Sequence, residues 1–188
     1  TISGSDIKMS GNSSETVTDA DGNSVTNATS GTVEMKGGKA TITGSDSEKV
    51  VTVGDDGSKT TTESKTDVML GKDKFKVTHG GTETVTDAEG NTTSDTSSVT
   101  VGHNQLGVSG KSTETDADGN STTTGGAFSV TTTGMDVSGE HANTTVNEDG
   151  SKSSMGVSGG VKIDDKKKTT TLTGKVTSSE TDADGNSS

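Results

Sequence analysis

The chain has 188 residues, a net charge of −12 and a pI near 4.5. Hydrophobic residues make up 21% and aromatics 1%, and there is no Pro, Cys, Trp or Tyr. The charge argues against nucleic acid and anionic membrane surfaces as partners, and the missing Cys removes disulfide, thiolate and Cys-zinc chemistry. No apolar run approaches the roughly 20 residues of a spanning helix.

Leu, Ile, Val and Phe together fall below the fraction, roughly 20%, at which charged chains usually stay disordered. Two features oppose disorder. Val dominates that group with Thr as its most frequent companion, so the chain is rich in β-branched residues that suit a pleated surface, and Pro is absent. The expectation is an ordered but thin-cored all-β protein.

An internal repeat organises the whole chain. One turn type recurs at Asp19-Ala20-Asp21-Gly22-Asn23, Asp55-Asp56-Gly57-Ser58 and Asp87-Ala88-Glu89-Gly90-Asn91, then at Asp116-Ala117-Asp118-Gly119-Asn120, Asn147-Glu148-Asp149-Gly150-Ser151 and Asp182-Ala183-Asp184-Gly185-Asn186. Its glycines are 35, 33, 29, 31 and 35 residues apart, a period near 33 whose variation suggests β-bulges or loop insertions. Gly supplies the positive φ of a tight hairpin, as in a G1 bulge, and the first Asp can accept backbone N–H bonds. A second set of turns lies midway, at Lys36-Gly37-Gly38-Lys39, Gly71-Lys72-Asp73, Gly102-His103-Asn104, Thr133-Gly134 and Asp164-Asp165-Lys166.

Between the turns apolar residues alternate. Val33 and Met35 precede Ala40 and Ile42, Val68 and Leu70 precede Phe75 and Val77, and Val99 and Val101 precede Leu106 and Val108. Val130 then precedes Met135 and Val137, and Val161 and Ile163 precede the last midway turn. Period two means strands with one apolar face. Toward the Asp-Gly end that pattern gives way to polar residues such as Ser112-Thr113-Glu114-Thr115. Strands of about 12 residues, or about 40 Å, are predicted. Small pairs near mid-strand (Ser30-Gly31, Thr43-Gly44, Gly80-Gly81, Ser109-Gly110, Gly125-Gly126, Ser138-Gly139, Thr173-Gly174) suggest a bend or close approach along one line. The fold expected over residues 1–188 is a single array of long antiparallel β-hairpins forming a meander, an extended sheet or a large soluble barrel. Thr1 falls inside a repeat, so the array is expected to be a fragment of a longer chain.

The candidate chemistry is calcium at the acidic turns. The ligands would come from Asp19, Asp21, Asp55, Asp56, Asp87, Glu89, Asp116, Asp118, Asp149, Asp182 and Asp184, because carboxylates are the oxygen ligands a hard cation needs. The plainer reading is a hairpin turn, since no loop carries the twelve-residue pattern of an EF-hand or the Gly-Gly-x-Gly-x-Asp repeat of a calcium β-roll. No other cofactor is implied. His79, His103 and His141 lack metal spacing, though His79 and His141 hold similar places that could share one face. No Gly-x-Ser-x-Gly elbow or Ser-His-Asp set occurs, so no catalytic residue is assigned and the chain is read as not an enzyme. Asn-x-Ser/Thr acceptors stand at Asn12, Asn27, Asn91, Asn120, Asn143 and Asn186, and Lys166-Lys167-Lys168 reads as a solvated turn.

Thr16-Val17-Thr18-Asp19-Ala20-Asp21-Gly22-Asn23-Ser24-Val25-Thr26 resembles the Thr/Val/Asp-Gly-Asn repeats of large bacterial surface and secreted proteins of the adhesin and polymorphic-toxin type. Bacterial immunoglobulin-like adhesin modules share the Asp-x-x-Gly-Asn turn but have Pro, core aromatics and a longer period. The single-layer meanders of spirochaete outer-surface lipoproteins are similar in Thr/Lys/Glu/Gly style. The resemblance implies an extracellular or cell-surface structural segment, a stalk, fibre, shell or scaffold. Its partners would be neighbouring repeats or identical chains met through strand edges, with a protein partner or cargo besides. The alternatives are a calcium- or partner-binding module and the β-barrel or tube part of a secreted toxin or injection-type assembly.

Overall fold

The computed structural model describes residues 7–36, 39–72, 74–184 and 186. Each stretch of alternating β-branched residues is a strand, and each cluster of turn residues reverses the chain. The strands are β1 (Ile7–Thr18), β2 (Ser24–Lys36), β3 (Lys39–Val53), β4 (Lys59–Gly71), β5 (Lys74–Thr86) and β6 (Thr92–Gly102). They continue as β7 (Gln105–Thr115), β8 (Ser121–Thr131), β9 (Gly134–Val146), β10 (Lys152–Asp164) and β11 (Thr169–Thr181). All are antiparallel to their sequence neighbours and lie in chain order in one sheet. Of the three arrangements expected, the sheet takes the open meander. It does not close into a barrel, because β1 pairs with β2, β11 pairs with β10, and the two do not meet.

The ladders are continuous and one-to-one from end to end, as in the β7–β8 run from Gln105↔Thr131 to Thr115↔Ser121. Within the strands, therefore, the bulges expected from the uneven period do not occur. The variation comes from strand length, which runs from 11 residues in β6, β7 and β8 to 15 in β3, and from one longer loop, residues 165–168, where the link at 132–133 has two residues. An unbroken ladder keeps side-chain parity strict, so each residue's face follows from its register.

One face, the valine face, carries two neighbouring apolar rows. The first runs from Val68 through Val77, Val101, Leu106, Val130 and Met135 to Ile163. The second runs from Val99 through Val108, Phe128, Val137 and Val161 to Leu172. The polarity of the hairpins is incomplete, because Val17, Val25 and Val50 form a further row beside the acidic turns on the same face. The opposite face is built from hydroxyls and lysines. Its cross-strand contacts include Thr78–Thr100 (3.2 Å), Ser98–Ser109 (2.8 Å) and Thr113–Thr123 (3.1 Å).

The glycines do not lie on one line as expected. Gly11, Gly31 and Gly44 are mutually in register, and that row continues into Val68 and Val77. A separate row runs from Gly81 through Ser97, Gly110, Gly126, Gly139 and Gly159 to Gly174. The rows are offset because Gly44 lies 13 residues before the Gly57 turn while Gly81 lies 9 before the Gly90 turn, so register carries the first row onto Val68 and Val77.

No described residue is buried. Leu172 on the edge strand keeps 77% of its surface and Val108 within the sheet keeps 46%. Ladder hydrogen bonds and half-covered β-branched side chains therefore hold the sheet, each strand touching only its chain neighbours.

The midway turns fall partly as expected. Residues 37, 38 and 73 lie outside the described residues. Thr132 and Thr133 form a two-residue link, and 165–168 form a four-residue turn in which Lys168 takes the positive φ of 53°. At the acidic turns Gly22, Gly57, Gly90, Gly119 and Gly150 have φ between 84° and 93°; Gly185 lies outside the described residues. A Cβ at Gly119 would stand 3.4 Å from Val146 Cγ2. Gly119→Ala is therefore expected to cost about 1–2 kcal/mol, mostly from forcing an L-residue into the left-handed region, measured by urea unfolding.

Candidate functional site

The acidic turns gather along one edge of the sheet, and four of them repeat one geometry. In the first, Asp19 N–H donates to the Asn23 carbonyl at 3.0 Å and Gly22 N–H donates to the Asp19 carbonyl at 3.4 Å. Asp19 Oδ1 accepts the backbone N–H groups of Asp21 and Asn23 at 3.0 and 2.9 Å, and Oδ2 accepts Asn23 Nδ2 at 2.9 Å. Asp116 repeats this with Asp118 and Asn120, and Asp182 repeats it with Asp184 and Asn186. Asp87 pairs with Asn91 in the same way. The side-chain bond from Asn, helped by the backbone N–H donors, holds the carboxyls of Asp19, Asp87 and Asp116 below the ordinary Asp value against a small opposing desolvation.

Two turns depart from the pattern. In the turn at residues 54–58 the chain is closed by Gly54 and Ser58, and Asp56 accepts from Ser58 N–H at 2.9 Å. In the turn at 147–151, Asp149 Oδ1 accepts both the N–H and the hydroxyl of Ser151, at 2.9 and 2.6 Å. The Ser hydroxyl is the largest cause lowering both carboxyls.

The Asn of the turn has a role that residue types alone did not reveal. Asn23 Oδ1 accepts the N–H of Val53 at 2.8 Å, Asn91 Oδ1 that of Ala117 at 3.0 Å, and Asn120 Oδ1 that of Val146 at 2.6 Å. These donors stand at the next acidic turn along the edge: Val53 closes β3 and Val146 closes β9 just before their turns, and Ala117 lies within its turn. One amide thus bonds the Asp of its own turn through nitrogen and the backbone of the next through oxygen. The signal was present as the strict Asp-x-x-Gly-Asn spacing. It was read instead at Asn91, Asn120 and Asn186 as a glycan acceptor, and their Nδ2 groups are all engaged with Asp.

For the calcium ligands, the consequence is that the first Asp of each Asn-type turn spends its carboxylate on its own loop. Asp21, Glu89, Asp118 and Asp184 stand outward at the following positions, and Asp55 stands beside Asp56. Among the described residues no group of three or more His, Asp or Glu side chains converges as a metal site would require. His79 and His141 do share the valine face, where they meet Thr66 Oγ1 at 2.8 Å and Thr124 Oγ1 at 3.1 Å through Nδ1. They stand in different rows, four strands apart. His103 lies in the Gly102 turn.

The lysine face carries a shallow trough of about 490 Å³ whose floor is the backbone of the longer glycine row. Lys111 Nζ meets Glu140 Oε1 at 3.4 Å across it, passing over Gly125, which is in register with both. A Cβ at Gly125 would lie 3.1 Å from that carboxylate oxygen. Lys49–Glu63 at 2.6 Å and Lys162–Asp136 at 4.0 Å lie on the same face. These ion pairs are exposed and each adds little.

Asn120→Ala is expected to cost about 1–2 kcal/mol, because it leaves Val146 N–H without its acceptor and Asp116 without its side-chain donor. Asn120→Ser should cost less, as Ser fills this place at Ser58 and Ser151; thermal melts read both. Because the turn carboxyls are lowered in the folded state, their stabilisation is full above the ordinary Asp range and is lost as pH falls through the lowered values. The melting temperature should hold from neutrality to about pH 5 and fall below about pH 4, with a shallower fall in Asp116→Asn. No protein-family model matches the chain, and neither a curated protein nor a solved structure shows significant similarity to it.

Proposed function

We propose that the chain is a non-enzymatic structural repeat segment, a scaffold of stalk, fibre or shell type in an extracellular or cell-surface protein. One observation carries this reading: each hairpin bonds only to the hairpins before and after it, through ladders and Asn links of recurring form. Stability in such an array is close to a sum over units and their nearest-neighbour interfaces, so length can be set by repeat number without redesigning a core. That suits a spacer or a display surface. The resemblance of the turn sequence to bacterial adhesin and toxin repeats supports a secreted setting. The outer edges of β1 and β11, which pair with no other described strand, would offer backbone groups to a neighbouring repeat or an identical chain.

Deleting the last hairpin, residues 152–181, tests the reading directly. A nearest-neighbour array keeps its far-ultraviolet β signal per residue, with a modest drop in unfolding midpoint. Collapse of the β signal on losing that hairpin would sink the array model and with it the spacer role. The same melts run with EDTA and with added calcium separate scaffold from binding module: the scaffold melts alike in both.

A further inference from the structure

We propose that the valine face is covered by a second copy of the chain, stacked face to face across the two apolar rows. This goes beyond edge pairing and does not depend on it. The first row crosses the seven strands β4 to β10 and the second the six strands β6 to β11. With rows about 7 Å apart and strands about 4.8 Å apart they span roughly 450 Å² per chain, hence about 900 Å² in a stacked pair, close to the size at which specific interfaces begin. An exposed apolar band of that extent is in the range of the largest patch a soluble monomer leaves open, and such patches are often interaction sites. Valine repeats along both rows, so any stretch of the band meets an equivalent stretch in a copy.

Charge selects how the copies stack. Every strand lysine with a described side chain lies on the opposite face, from Lys8 in register with Glu34 to Lys175 in register with Ser158. The charged strand residues of the valine face are acids, Glu15, Asp46, Glu48, Glu83, Asp95, Glu114 and Glu180, assigned by register, and the face also carries His79, in register with Val99, and His141. From β4 to β11 those acids all stand on the acidic-turn side of the longer glycine row, outside the band. A two-fold axis along the band superposes the two bands and turns the acidic halves to opposite sides. A two-fold axis along the strands would set acid against acid. The first arrangement buries Val against Val with no charge enclosed, at the separation of about 10 Å usual for packed sheets.

Sedimentation equilibrium of the full chain over a concentration series, with two single-cysteine variants, tests this. Twice the chain mass is expected, with the dimer fraction rising with salt as the net charge is screened. Val137→Lys should return the chain to monomer at concentrations where Ser129→Lys, at a similar level on the lysine face, stays dimeric; circular dichroism checks that both keep the sheet. Because the chain has no cysteine, Val108→Cys should be joined into a dimer by a short bismaleimide while Ser109→Cys, one residue away on the other face, should not. A monomer at every concentration, a dimer dissociated by salt, or faster cross-linking through Ser109→Cys would each overturn the proposal. An adventitious failure of Val137→Lys to fold leaves the cysteine pair to decide.

Discussion

Unbroken backbone pairing is the constraint on which everything else rests. A globular domain offsets chain entropy largely by removing apolar surface from water. Here no described residue is buried, and the same entropy must be met by ladder hydrogen bonds, β-branched cross-strand contacts and the closing of each turn. Each of these is a nearest-neighbour term. A ladder that slipped by one residue would exchange the valine and lysine faces of a strand, so the register must be fixed locally. Each acidic turn fixes it with an Asp held within its own loop, and Gly22, Gly57, Gly90, Gly119 and Gly150 add a positive φ.

The Asn link changes the scale at which that fixing operates. A hairpin turn normally specifies only the two strands it joins. Asn120 also binds the N–H of Val146, the last residue of β9, so it ties the β7–β8 turn to the strand beyond it at one edge. The turns ending in Ser58 and Ser151 place the holding Asp at the third position, where Asp56 and Asp149 bind the serine, and the serine has no amide oxygen to reach across. The edge is consequently uneven, tied at Asn23, Asn91 and Asn120 and looser between.

Much of this was legible in the sequence, for reasons that differ by element. The strands and acidic turns could be read because their signals are local: alternation of Val with Thr, and Gly after two acidic or small residues. The open meander could not be separated from a barrel, since closure depends on whether Ile7–Thr18 meets Thr169–Thr181, and no local pattern encodes that. The glycine rows were misjudged because position in sequence is not position in register. Gly44 and Gly81 look alike as mid-strand glycines, but Gly44 aligns with Val68 while Gly81 aligns with Ser97. The link from Asn to the neighbouring turn was hidden for the same reason, being a contact over 26 or 30 residues. The calcium reading weighed carboxylates as free ligands, whereas Asp19, Asp87, Asp116 and Asp182 are held by their own loops.

The separation of lysines from valines also has a chemical consequence. Primary amines within the strands occupy one side of a sheet a single layer thick, so the two sides differ in reactivity as well as wetting. Amine-directed coupling to a bead, a dye or a polymer would attach through the hydroxyl-rich side and leave the aliphatic side unmodified. The protein thus behaves as a two-sided film, with a side that takes covalent labels and a side that does not, and the distinction follows from the parity of residue numbers along each strand.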